Sequence, residues 1–98
     1  MVKRIVWSME AKKQLKEAIE YIRQDSFQNA IKVRSDIVKM TRNLSAYPET
    51  HTIDKYKIGN DGTYRAFEKH RYRISYRVLL NEIWILRVRH TSMEPLSY

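Results

Sequence analysis

Ninety-eight residues, 43% of them hydrophobic, suffice for one compact domain with a modest core and exclude two. A formal net charge of +8 points to an anionic partner, whether RNA, DNA or an acidic protein. The absence of cysteine excludes a disulfide framework and a thiolate metal site. No apolar run approaches the roughly 20 residues that span a bilayer. Met1 to Trp7 is too short for a signal peptide, so a cytoplasmic protein with no membrane contact is expected.

In chain order, Lys3 to Trp7 is a short β-prone run, and Ser8 after it offers a helix N-cap. Ala11, Leu15, Ala18, Ile19 and Ile22 then form one apolar helical stripe. Asp25-Ser26 interrupts it, and Ser26 can cap a second helix, where Ala30, Val33, Ile37, Met40 and Leu44 recur before Pro48. Two amphipathic helices joined by about three residues make an antiparallel αα-hairpin. Periodicity fades from Ser45 to Gly62, and Gly59-Asn60-Asp61-Gly62 signals a turn. Three β-runs follow, Thr63 to Glu68, Arg71 to Leu79 and Ile83 to Arg89, connected by Lys69-His70 and by Leu80 to Glu82. The tail from Thr91 to Tyr98 contains Pro95 and reads as irregular. The expected architecture is a single α+β domain over residues 1–98. It consists of an N-terminal strand, an αα-hairpin and a three-stranded antiparallel meander, with the helices packed on one sheet face.

The run Arg71 to Val78 alternates with period two: Tyr72, Ile74, Tyr76 and Val78 on one side, Arg71, Arg73, Ser75 and Arg77 on the other. Like charges on one strand face repel, so such a face implies an anionic partner. From Lys55 to His90 there are nine Lys/Arg against three acids, compared with ten against seven from Met1 to Asp54. If neighbouring strands pair in phase, the uncovered face collects Arg65, Lys69, Arg71, Arg73, Arg77, Arg87 and Arg89. Arginine suits phosphate because its planar fork binds two oxygens at once. Tyr64, Tyr72, Tyr76 and Trp84 lie among these cations as candidate stacking platforms, although Tyr72, Tyr76 and Trp84 share the phase of the apolar core.

His90 and Tyr98, beside arginines, are candidates for proton transfer in metal-free RNA cleavage, where the 2′-hydroxyl loses a proton and the leaving oxygen gains one. The alternative is a strand-end histidine and a loose terminal tyrosine. His51, His70 and His90 stand far apart with no acid at ligand spacing, which argues against a metal site, and no cofactor motif is present. Glu17 and Glu20 beside Lys13 and Lys16 read as a solvated helix face.

Several of these pieces together resemble the RelE/ParE superfamily of bacterial type II toxins. They are Ile5-Val6-Trp7-Ser8 with Ala11 and Leu15, Ala18-Ile19-Glu20-Tyr21-Ile22, Ala30, and Leu44 with Pro48. The more specific parts are Tyr72-Arg73-Ile74-Ser75-Tyr76-Arg77-Val78 and Ile85-Leu86-Arg87-Val88-Arg89-His90. The resemblance covers nearly the whole chain. It implies a toxin, of the kind associated with plasmid stabilisation, neutralised by a cognate antitoxin. RelE-like members cleave mRNA in the ribosomal A site without a metal, whereas ParE-like members inhibit DNA gyrase and are not known as nucleases. RelE-type positions carried over fall at Arg65, Lys69, Arg73 and, one residue out of register, Tyr98. Phe67, Thr91 and Met93 stand where basic residues are expected.

Three functions follow. The first is a ribosome-dependent mRNA endonuclease that inhibits translation. Here Arg65 and Arg73 hold phosphate, His90 or Tyr98 moves protons, and Lys69, Arg71, Arg77, Arg87 and Arg89 bind RNA. The second is a non-enzymatic gyrase inhibitor, suggested by the departures at Phe67 and Thr91. The third is a non-toxic basic nucleic-acid-binding module. The resemblance places the toxins first, with a slight lean to RNA.

Overall fold

A computed structural model describes residues 2–93 and 96–98; of the expected irregular tail, Glu94 and Pro95 lie outside the described residues. The chain forms β1 (Arg4–Trp7), α1 (Met9–Asp25), α2 (Phe27–Asn43), β2 (Tyr64–Lys69), β3 (Tyr72–Val78) and β4 (Glu82–His90). The α+β order is as expected. The sheet runs β1-β4-β3-β2, so the last strand inserts beside the first, parallel to it, while β2, β3 and β4 form the antiparallel meander.

Serines set the helix boundaries. The Ser8 hydroxyl accepts from the Ala11 amide at 3.0 Å and donates to the Leu86 carbonyl at 3.1 Å, which ties the start of α1 to β4. Ser26 is the entire connection between the helices, shorter than the three residues expected. Its backbone is extended (φ −154°). Its amide therefore donates back to Ile22 at 3.0 Å while its hydroxyl accepts from the Asn29 amide at 3.1 Å. One residue serves as both C-cap and N-cap, and no longer loop is needed.

The helical stripes pack where their periodicity directs. Ala11, Ala18, Val33, Ile37 and Leu44 meet Phe67, Tyr72, Ile74, Tyr76, Ile83, Ile85 and Val88 in one core. Tyr76 is wholly buried, and its hydroxyl donates to the Pro48 carbonyl at 2.8 Å. Each buried isoleucine contributes about 1.5–3 kcal/mol relative to exposure.

Register decides what occupies the uncovered face, and it corrects the in-phase expectation. Across β2 and β3, Arg65 stands opposite Tyr76, Phe67 opposite Ile74 and Lys69 opposite Tyr72, so Arg65 and Lys69 share the helix-side phase. Tyr64, Ala66 and Glu68 stand opposite Arg77, Ser75 and Arg73 on the open side. Strict alternation from Ile83 and Ile85 would turn Arg87 and Arg89 inward. Instead the register slips by one, with Tyr76 opposite Ile85 and Ser75 opposite Arg87, leaving Leu86 as the extra residue of a bulge. The bulge returns Val88 to the core and delivers Arg87 and Arg89 to the open face. Trp84, expected in the core phase, stands opposite Arg77 on the open side because Ile83 and Ile85 take the inner positions.

Arg71 also departs from expectation, because β3 begins at Tyr72. His70 (φ 54°) and Arg71 (φ 67°) make a two-residue hairpin turn with both residues left-handed. Neither is the glycine or asparagine such a turn favours, at a cost of roughly 1–2 kcal/mol per residue. His70 Nε2 to Asp36 Oδ2 at 2.6 Å and the Thr91 amide to the Arg71 carbonyl at 2.7 Å hold the turn. Arg71→Gly, which leaves both contacts in place, is therefore expected to stabilise the fold by about 0.5–1 kcal/mol. A higher denaturant midpoint at unchanged slope is the signature to look for.

Candidate functional site

The uncovered sheet face is the candidate site, and a segment without helical or strand periodicity completes it. Thr52 to Asp54 lies along the outer edge of β2. The Ala66 amide donates to Thr52 at 3.1 Å, the Asp54 amide donates to Tyr64 at 2.8 Å, and Ile53 bridges to Arg65. Arg65 supports this segment by donating to the His51 carbonyl at 2.6 Å. Asp54 is thereby carried under the open face, where its side chain is fully buried.

Three donors converge on the Asp54 carboxylate. Oδ1 accepts from Arg73 Nη2 at 2.9 Å and from the Tyr56 amide at 3.1 Å. Oδ2 accepts from the Tyr98 hydroxyl at 2.6 Å. Arg73, with 15% of its side chain exposed, also pairs with Glu68 at 3.1 Å and lies 4.8 Å from the centre of the Tyr56 ring. The backbone reinforces the tyrosine contact, since the Tyr98 amide donates to Tyr56 at 3.1 Å and the Ile58 amide donates to Tyr98 at 2.6 Å. Arg87 packs its guanidinium 4.0 Å from the centre of the Tyr98 ring, and Arg77 packs 4.7 Å from that of Tyr64.

Burial by itself would raise the Asp54 pKa, but the hydrogen bonds from Tyr98, Arg73 and the Tyr56 amide together hold it below the ordinary carboxylate value. For Arg73, burial favours loss of the proton and the two acids more than reverse it, so its pKa is raised. Burial first, and then donation to Asp54, pushes the Tyr98 phenol up to about 12. Near neutral pH, Tyr98 is therefore a protonated donor whose proton is already engaged. Burial lowers the pKa of Arg87, while Tyr98 and Asp54 act the other way.

The four expected catalytic residues do not meet. Arg73 and Tyr98 join through Asp54, but His90 stands opposite Tyr72 on the helix-side phase, its ring edge-on to that tyrosine at 5.0 Å. His90 Nδ1 accepts from the Ser92 amide at 3.0 Å. Arg65 occupies the same phase further along the sheet, opposite Tyr76. Of the expected nucleic-acid-binding residues, Arg77, Arg87 and Arg89 lie on the open face, whereas Lys69 and Arg71 lie at the hairpin turn. Phe67 is core, and Met93 is 54% exposed.

Sequence reasoning missed Asp54, Tyr56 and Glu68. Glu68 was within reach, because once Phe67 is assigned to the core the next residue must face the other way. Asp54 and Tyr56 lie in an aperiodic segment and carry no such signal. No metal-binding group of three or more His, Cys, Asp or Glu occurs among the described residues, and none of their helices is long and apolar enough to cross a membrane.

The same layout recurs in solved structures. A chain of the chromosomal ParDE toxin–antitoxin system from P. aeruginosa is 20% identical at a TM-score of 0.71, covering 93% of this chain and 98% of that one. A chain of the RelBE2 toxin–antitoxin complex from Mycobacterium tuberculosis is 17% identical at 0.64, covering 92% and 99%. The YoeB dimer from Staphylococcus aureus is 20% identical at 0.57, covering 92% and 98%. No curated protein sequence matches significantly. These likenesses define a RelE/ParE-type fold. A family model described as the ParE toxin of the type II toxin–antitoxin system parDE matches residues 5–95, and the chain belongs to that family.

Removing one partner of a buried ion pair costs more than the pair itself contributes, because the other charge stays buried. Arg73→Ala should therefore destabilise the protein by about 3–5 kcal/mol. Adding Asp54→Asn should recover part of that loss in chemical denaturation, which a purely local packing defect would not allow.

The tyrosine supplies a pH signature. A phenol raised from 10.0 to about 12 on folding contributes stability that is complete below pH 10 and lost as pH rises through 12. Tyr98→Phe should flatten the alkaline loss without abolishing it, because Tyr76 is also raised to about 12 by burial. At the acid end, Asp54 contributes stability present above its unfolded value of about 3.9 and lost as pH falls through its lower folded value. Denaturation curves across both ranges check the two signs.

Proposed function

We propose that this ParE-family toxin acts by contact with DNA gyrase, without cleaving RNA, and that a cognate antitoxin neutralises it. The observation that carries this reading is the closed Arg73–Asp54–Tyr98 cluster. Metal-free RNA cleavage needs a group able to take the 2′-hydroxyl proton and a cation able to meet developing negative charge. Here the tyrosine holds its proton against Asp54, and the arginine serves two acids. The histidine belongs to the other sheet phase. Phe67, at a position where a nuclease of this fold would want a cation, is used for packing. The family match is to the ParE toxin, the branch for which the resemblance implies gyrase inhibition, and it favours the same reading.

Antitoxin binding is consistent with the layout of the relatives, two of which are toxin–antitoxin systems. The reading is tested by adding excess purified protein to gyrase and relaxed plasmid. Supercoiling should be lost, and ribosomes translating a defined message should show no new A-site cuts. Normal supercoiling would sink the gyrase reading, and A-site cuts would restore the nuclease.

A further inference from the structure

Arg87, 8% exposed, is the one buried cation among the described residues, and no carboxylate among them pairs with it. Its Nε makes only a 3.5 Å contact with Ser75 Oγ, and its plane rests on the Tyr98 ring. Asp54 is near enough to act on it through space, but both Asp54 oxygens are spent on Arg73, the Tyr56 amide and Tyr98. Burial lowers the Arg87 pKa; Tyr98 and Asp54 oppose it, and the like charges of Arg89 and Arg73 add to it. Arginine keeps its proton even so, and a buried charge without a direct counter-ion is costly to maintain.

Arg87 lines a cavity of about 50 Å³ together with Arg73 and Arg89. Glu68 is the one acid on its wall among the described residues, and it is already bonded to Arg73 at 3.1 Å. The size admits something of one or a few water volumes and excludes a peptide or a nucleotide. The lining bears on the kind of anion, because Tyr56, Met93 and Leu96 close the cavity with largely apolar surface. A dianion such as phosphate would lose more hydration there than these groups return, and it would face Glu68. A weakly hydrated monovalent ion suits a guanidinium, which is itself weakly hydrated.

We propose that this cavity is a halide site, in which one chloride ion sits against the Arg87 guanidinium and supplies the counter-charge that no carboxylate provides. The ion is structural: it offsets the cost of burying Arg87 and so holds the outward turn of β4 against the Tyr98 ring. The inference is independent of whether the target is gyrase.

The experiment follows thermal unfolding of the whole chain at constant ionic strength while chloride replaces gluconate, an anion too large for the cavity. Tm should rise saturably, by about 5–10 °C once chloride is about tenfold above its Kd. In Arg87→Leu, which removes the buried charge, the chloride dependence should vanish. Should that variant fail to fold, crystals of the unaltered protein soaked in bromide give the same decision through an anomalous scattering peak beside Arg87. No rise with chloride, an equal rise in the folded variant, greater stabilisation by phosphate than by chloride at equal ionic strength, or no bromide peak in the cavity would each overturn the proposal.

Discussion

The buried carboxylate of Asp54 is the constraint around which the open face is organised. A fully buried ion costs several kcal/mol in lost hydration unless its oxygens are satisfied. Here the necessary donors come from three distant parts of the chain: Arg73 in the meander, the Tyr56 amide in the preceding loop, and Tyr98 in the tail. Meeting that single requirement fastens the aperiodic loop to the sheet and the tail to the loop. It also sets the orientation of the rings against which Arg73 and Arg87 pack. A hydrophobic residue at position 54 could fill the space, but it could not hold these three segments together.

The same cluster alters the electrostatics that the composition suggests. A net charge of +8 and a strand carrying Arg73 and Arg77 invite a picture of a bare cationic surface. Arg73 is instead balanced by Asp54 and Glu68, and Arg77 lies 3.6 Å from Asp61. Long-range attraction for an anion depends on the summed field, so paired arginines steer far less than a count of them implies. On the proposed reading, in which the target is reached by protein contact, a surface of fixed shape with a few directed cations is better suited to recognition than a diffuse positive field.

The helix-covered side follows a different logic, in which shape dominates charge. Two helices joined by the single residue Ser26 present small residues, Ala11 and Ala18, to the sheet, and larger sheet residues fill the space between the layers. The β4 bulge reconciles the two sides. With β1 ending at Trp7 opposite Ile85, the rest of that edge of β4 has no strand partner among the described residues, and α1 and its N-cap supply substitutes. Gln14 accepts from the Val88 amide at 2.6 Å, and Ser8 donates to the Leu86 carbonyl at 3.1 Å. The strand can therefore slip by one residue, keep Val88 in the core and still send Arg87 outward.

Local pattern in the sequence determined the element order, the two serine caps, the helical stripes and the meander, because burial imposes a period of 3.6 on helices and two on strands. The family was legible for the same reason, in the Tyr72 to Val78 and Ile85 to His90 strands. The tertiary structure alone decided how the strands register, since a slip of one residue exchanges the two faces without disturbing any local pattern. It moved Arg65 and Lys69 off the open face and put Trp84 on it. It also decided the site. Asp54 meets Arg73 and Tyr98 across separations of 19 and 44 residues. No periodicity connects residues so far apart, and only packing of the folded chain makes them neighbours.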